Sequence, residues 1–99
     1  LSHVIRFNAA SAPERFHDIA LAVGLPVADV PVDEVAEMLA DYVRSLGDEV
    51  GVPRGLRELG VSESDIPRLA ESTLLDACLA TNPRPTDVQD IERLFRAAL

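Results

Sequence analysis

The feature that most constrains this chain is the spacing of its apolar residues between Val32 and Val50. Val32, Val35, Ala36, Leu39, Tyr42, Val43, Leu46 and Val50 fall on one helical face, with Asp33, Glu34, Glu37, Asp41, Arg44 and Asp48 on the other. Asp33 and Glu34 stand in the first turn, where the positive end of the helix dipole favours acids. Every other sustained apolar run shows the same period near 3.6, and strict alternation never lasts. No internal repeat and no low-complexity stretch interrupts the pattern. The prediction is all-α: an irregular bundle of four to five helices with short loops, forming a single helical domain over residues 1–99. An apolar content of 47% over 99 residues supplies one modest core.

Local signals place the other helices. Leu1 to Asn8 opens directly into Val4, Ile5 and Phe7 with no start signal, and reads as the tail of a helix that begins upstream. Ser11-Ala12-Pro13-Glu14 reads as a capping box with proline in the first turn. Phe16, Ile19, Ala20 and Val23 carry that helix to Gly24, and Pro26 prevents its resumption. Residues 24–31 form a loop. A short turn is predicted around Arg54–Glu58, and a cap at Ser62 to Asp65 starts a helix through Ile66, Leu69, Ala70, Thr73, Leu74 and Ala77. Pro67 lies early enough to be tolerated or to mark a small kink. The end of this helix, Leu74 to Ala80, has almost no polar face and is predicted to be buried all round. Asn82 precedes a proline, which pushes it out of the α region and stops the helix. Thr86 to Gln89 reads as a third capping box, opening a last helix with Val88, Ile91, Phe95 and Ala98 on its apolar face.

Charge excludes several function classes. The net charge is −8, from nine arginines, no lysine and 17 acids, with −6 on residues 1–50 and −2 on residues 51–99. Such a chain repels phosphate backbones and acidic lipid surfaces, so neither nucleic acid nor a membrane is expected as a partner. A helix-turn-helix DNA reader would need a basic recognition helix, which is lacking. No signal peptide and no apolar run of about 20 residues is visible. The single cysteine excludes an internal disulfide and suits a reducing cytoplasm, the expected location.

Few residues suggest chemistry. His3 and His17 are the only histidines, and no His-x-x-x-His pairing exists for a helical zinc site. They read as one packed helix-end histidine and one surface histidine. Cys78 is a tempting nucleophile, but a position near a helix C-terminus and apolar burial both disfavour the thiolate, so a structural thiol is the preferred reading. Arg84 has the fork to clamp a carboxylate or phosphate, yet an arginine in such a turn more often ties helix ends through carbonyls or an acid such as Asp76. Asn82 reads as a turn-maker. Glu37 and Asp41 share a polar helix face and read as solvated. Gly51, Gly55 and Gly60 do not form a phosphate loop. No catalytic, cofactor-binding or metal-ligating residue is therefore assigned.

Five segments nonetheless carry a resemblance. Asp76-Ala77-Cys78-Leu79-Ala80-Thr81-Asn82-Pro83-Arg84-Pro85 resembles the C-terminal helical domain of the iron-containing alcohol dehydrogenase family. His3-Val4-Ile5-Arg6-Phe7-Asn8 is similar to that family's "Leu-Pro-His-Val-x-x-Phe/Tyr-Asn" helix end. Gly51-Val52-Pro53, Leu56-Arg57-Glu58-Leu59-Gly60-Val61 and Ser62-Glu63-Ser64-Asp65-Ile66-Pro67 follow in the family order. The resemblance covers nearly the whole chain. It departs at Ser2, where proline is usual, and at Pro85–Thr86, about one residue shorter than the common pattern.

The resemblance implies a dehydroquinate synthase-like helical domain, truncated at its N-terminus, from a larger two-domain dehydrogenase. In such a parent a separate N-terminal domain binds NAD(P), and a divalent metal (iron or zinc) in the interdomain cleft acts as Lewis acid during hydride transfer between an alcohol or carbonyl and nicotinamide. The family's metal is held by one Asp and three His upstream of these residues, and His3 matches a non-ligand histidine that follows the last of them. The chain alone is expected to bind neither metal nor NAD(P) and to be inactive. Its implied partners are the missing nucleotide-binding domain and a small alcohol, aldehyde or keto-acid substrate of the parent, while the apolar patch that a cut core exposes leads to an expectation of self-association as a homo-oligomer. Cys78 is carried over as substrate-pocket lining only. Alcohol dehydrogenase, maleylacetate reductase and transhydrogenase relatives all remain open. The competing reading is a stand-alone acidic helical module that binds a protein partner through an exposed apolar groove.

Overall fold

The stripe from Val32 folds as the longest helix of a computed structural model that describes all residues 1–99. Five α-helices are present: α1 (Ser2–Ala9), α2 (Pro13–Ala22), α3 (Val32–Glu49), α4 (Ile66–Leu74) and α5 (Val88–Ala97). Three short 3-10 turns, Leu56–Leu59, Glu63–Asp65 and Ala77–Thr81, complete the order, and there is no strand. The all-α prediction holds. No helix is long and apolar enough to cross a membrane.

Helices α1 and α2 both pack on α3. Their apolar faces form two small clusters, Ile5–Leu39–Ala40 and Ala20–Val27–Val35, bridged by Leu25. The stripe on α3 is buried only along its first half. Val35, Ala36, Leu39 and Ala40 are buried, whereas Leu46 and Val50 are exposed. The cause is length: α3 has 18 residues, about 27 Å, while α1 and α2 have 8 and 10. The second half of the chain pairs α4 with α5, with Ile66, Ala70 and Ile91 buried. The two halves meet where α1 touches α5 and where the Leu56 N–H donates to Ala98 O at 2.8 Å. Gly55 permits that approach, since a Cβ there would lie 2.6 Å from Leu99 O.

Three boundaries differ from the sequence expectation. Ser11 does not cap α2. Its N–H donates to Asn8 O and that of Ala12 to Ala9 O, so residues 10–12 belong to the turn leaving α1, and Ala12 becomes the N-cap with no side-chain bond. Thr86 does not cap α5, because its hydroxyl already donates to Arg84 O at 2.7 Å. Asp87 takes the role, its carboxylate accepting the Asp90 N–H at 2.8 Å. Third, α4 stops at Leu74 rather than continuing as a buried helix to Ala80. The Asp76 carboxylate accepts the Cys78 N–H at 2.8 Å, an alternative to the helical ladder that Asp offers readily. The chain restarts as a 3-10 turn on the surface, with Leu75 87% exposed and Cys78 exposed. Gly24 (φ 83°) ends α2 as expected, in a left-handed conformation that glycine adopts without strain.

Candidate functional site

The C-terminus of α1 leaves carbonyls without intrahelical partners, and a distant turn meets one of them. Pro83 holds Asn82 extended (ψ 132°), which turns the chain back toward α1. Arg84 Nη1 then donates to Phe7 O at 3.0 Å, and its guanidinium lies 3.9 Å from the centre of the Phe7 ring. A cation at a helix C-terminus and over an aromatic face is favourable on both counts. Beside it, Asn8 and Asn82 pair amide to amide. Asn8 Nδ2 donates to Asn82 Oδ1 at 2.7 Å, and Asn82 Nδ2 donates back to Asn8 Oδ1 at 3.0 Å. Asn82 Nδ2 also lies 2.7 Å from Arg84 O and 3.1 Å from Thr86 Oγ1. Asn8 is buried, so the pairing removes the cost of an unsatisfied amide.

Three members of this cluster, Phe7, Asn82 and Thr86, line an apolar groove of about 410 Å³. His3, Val4 and Phe7 of α1 form one wall, Ile91, Leu94 and Phe95 of α5 another, and Cys78 and Leu79 a third. Its polar groups are few: His3, Thr73, Asp76, Asn82 and Thr86, besides the Cys78 thiol. A mainly apolar groove with a few convergent polar groups suits a small organic ligand. Burial, followed by the Arg6 and Arg44 charges, lowers the pKa of His3 and favours the neutral imidazole. The Cys78 thiol is pushed up, chiefly by its hydrogen bond to the Asp76 carboxylate and then by that charge. The direction is the one expected for a buried thiol at a helix C-terminus. The structure replaces that cause with a neighbouring acid, because Cys78 is exposed and stands at the start of a 3-10 turn.

The remaining candidates disperse. His17 Nε2 lies 3.0 Å from Val27 O, half-buried rather than on the surface, and outside the groove. Glu37 and Asp41 are ion-paired, at 2.8 and 3.1 Å, with the same Arg6. Arg84 ties a helix end through a carbonyl, as expected, but to Phe7 and not to Asp76. No three His, Cys, Asp or Glu side chains converge on a possible metal position, so these residues do not fit a metal ion by themselves. Sequence reasoning missed Asn8 and Phe7. The available signal was a polar residue, Asn8, ending an apolar run.

The arrangement has close relatives. It superposes on a crystal structure of 1,3-propanediol oxidoreductase with a TM-score of 0.92 at 37% identity, covering 100% of this chain and 26% of that one. The chain is 38% identical over 98 residues to the lactaldehyde reductase of Escherichia coli (strain K12), covering 99% of this chain and 26% of that protein. It is 35% identical over 99 residues to the NAD-dependent methanol dehydrogenase of Bacillus methanolicus, covering all of this chain and 26% of that protein. The fold is thus that of a helical domain found in oxidoreductases. Residues 1–99 match the model of the Fe-containing alcohol dehydrogenase family, C-terminal, and the chain belongs to that family. It spans about a quarter of the length of these relatives.

Proposed function

We propose that this chain is the C-terminal helical part of a two-domain, metal-dependent, NAD(P)-linked alcohol dehydrogenase. The observation that carries the reading is the family match over residues 1–99, with relatives about four times as long. In this reading a separate N-terminal domain binds the nucleotide. The divalent metal, iron or zinc, is held by residues outside these 99, because no suitable set of donors converges within them. The substrate is a small alcohol, aldehyde or keto acid, the reaction is hydride exchange with nicotinamide, and the enzyme works in the cytoplasm as a homo-oligomer. The 99 residues alone are inactive.

The contribution of this chain is a pocket wall. Apolar side chains of α1 and α5 take the carbon skeleton of a substrate out of water. Cys78 lines the pocket as a small, protonated thiol, because Asp76 opposes its ionisation. It supplies contact rather than charge. The test is to purify the native gene product, weigh it intact, measure its metal content and follow NAD(P)H with short alcohols. A mass several times 10.7 kDa, bound metal and turnover are expected, with Cys78→Trp raising the alcohol KM and leaving the nicotinamide KM unchanged. A product near 10.7 kDa without turnover would leave the stand-alone binding module as the better account.

A further inference from the structure

The groove walls come from sequence-distant segments, and something must fix the gap between them. Every side-chain hydrogen bond between residues 1–9 and residues 76–99 belongs to one cluster: the two Asn8–Asn82 bonds and the Arg84–Phe7 bond. On its opposite side α1 is held by Ile5 against Leu39 and by Arg6 on Glu37 and Asp41. The cluster is therefore what registers α1 against the segment bearing Cys78. That segment is stiff. The Cys78 N–H is bound to Asp76, the Thr81 hydroxyl donates to Cys78 O at 3.0 Å, and Asn82 follows directly. A shift of Asn82 must carry Cys78 with it.

We propose that Asn8, Asn82 and Arg84 are positioning residues that set the width of the groove between the α1 wall and Cys78, and with it the size of substrate admitted. Asn82 lines the groove, but its amide is committed to Asn8, Arg84 O and Thr86, which leaves it no free group for a substrate. It acts through geometry. The assignment rests on the proposed dehydrogenase reading, and its test separates the two.

The experiment uses the full-length protein with Asn82→Ala, Asn8→Ala, the double variant and Arg84→Lys, the last keeping the charge but losing the planar fork. For each, the ratio of kcat/KM for 1-hexanol to that for 1-propanol is measured beside the nicotinamide KM and the thermal midpoint. A shift of the ratio toward the longer alcohol by about tenfold is expected for Asn82→Ala. The double variant should match the larger single effect, because both remove one link. A ratio unchanged within about twofold while the midpoint falls would reduce the cluster to a structural tie and overturn the proposal. Should Asn82→Ala fail to fold, Arg84→Lys carries the same comparison. A second readout needs no turnover: the rate of Cys78 alkylation by a bulky pyrenyl maleimide relative to iodoacetamide. Opening the groove should raise that relative rate in the variants, and an unchanged value argues against the clamp. If the wild-type protein oxidises no alcohol, the dehydrogenase reading fails, and the alkylation ratio still decides the clamp.

Discussion

At the scale of single residues, local hydrogen bonds decide how Asp65 behaves. The Ser62 hydroxyl and N–H both donate to Asp65, at 2.6 and 3.0 Å, and hold its carboxyl below the ordinary range. Protonation removes that preference. The contribution is therefore complete above the unfolded pKa, near pH ~4, and is lost as pH falls through the lowered folded value. Ser62→Ala should leave stability at pH 7 closer to that at low pH, so that denaturant midpoints measured from neutral to strongly acidic pH fall less steeply than in the parent. An unchanged acid slope would show that Asp65 does not depend on Ser62. Cys78 shows how far residue type alone carries. Its position after Asp76 was visible in the sequence, and so was a disfavoured thiolate. The cause was not, because exposure depends on where the chain sends residues 75–78.

At the scale of elements, periodicity located every helix, and side-chain competition set the ends. Two predicted capping boxes failed for one reason: Ser11 and Thr86 were already engaged in the turns before their helices. Asp87, free of such a turn, caps α5. Asp87→Ala should cost about 1 kcal/mol of stability. Thr86→Ala should leave the helicity of residues 88–97 unchanged while loosening the Asn82 cluster, a contrast that amide hydrogen exchange along α5 and at Asn8 would read. Equal loss of α5 protection in both variants would restore Thr86 as the cap. Asp76 likewise ends α4 at Leu74, short of the expected Ala80, by taking the Cys78 N–H, turning an expected buried helix into an exposed 3-10 turn. Composition favours helix there, and a single carboxylate decides otherwise.

At the scale of the molecule, the 99 residues bury little of themselves. Only 13 are buried, and Val50 at 71% and Leu59 at 65% exposure leave the far end of α3 and its neighbouring turn bare. The radius of gyration, 14.5 Å, exceeds the ~13 Å typical of a compact domain of this length. With two small clusters and an open groove, the isolated chain should bind the dye ANS and lose its helicity over a broad thermal range. A sharp, dye-free transition would show that the core suffices. The sequence by itself determined the helical class, the place of each helix and the family, because period and short motifs are local properties of the chain. Only the tertiary structure decided that Asn8 meets Asn82, that Arg84 stacks on Phe7 and that Cys78 faces α1 across a groove. Those contacts join residues more than 70 positions apart, and pairing at such separation is settled by how the helices pack, which no local pattern encodes.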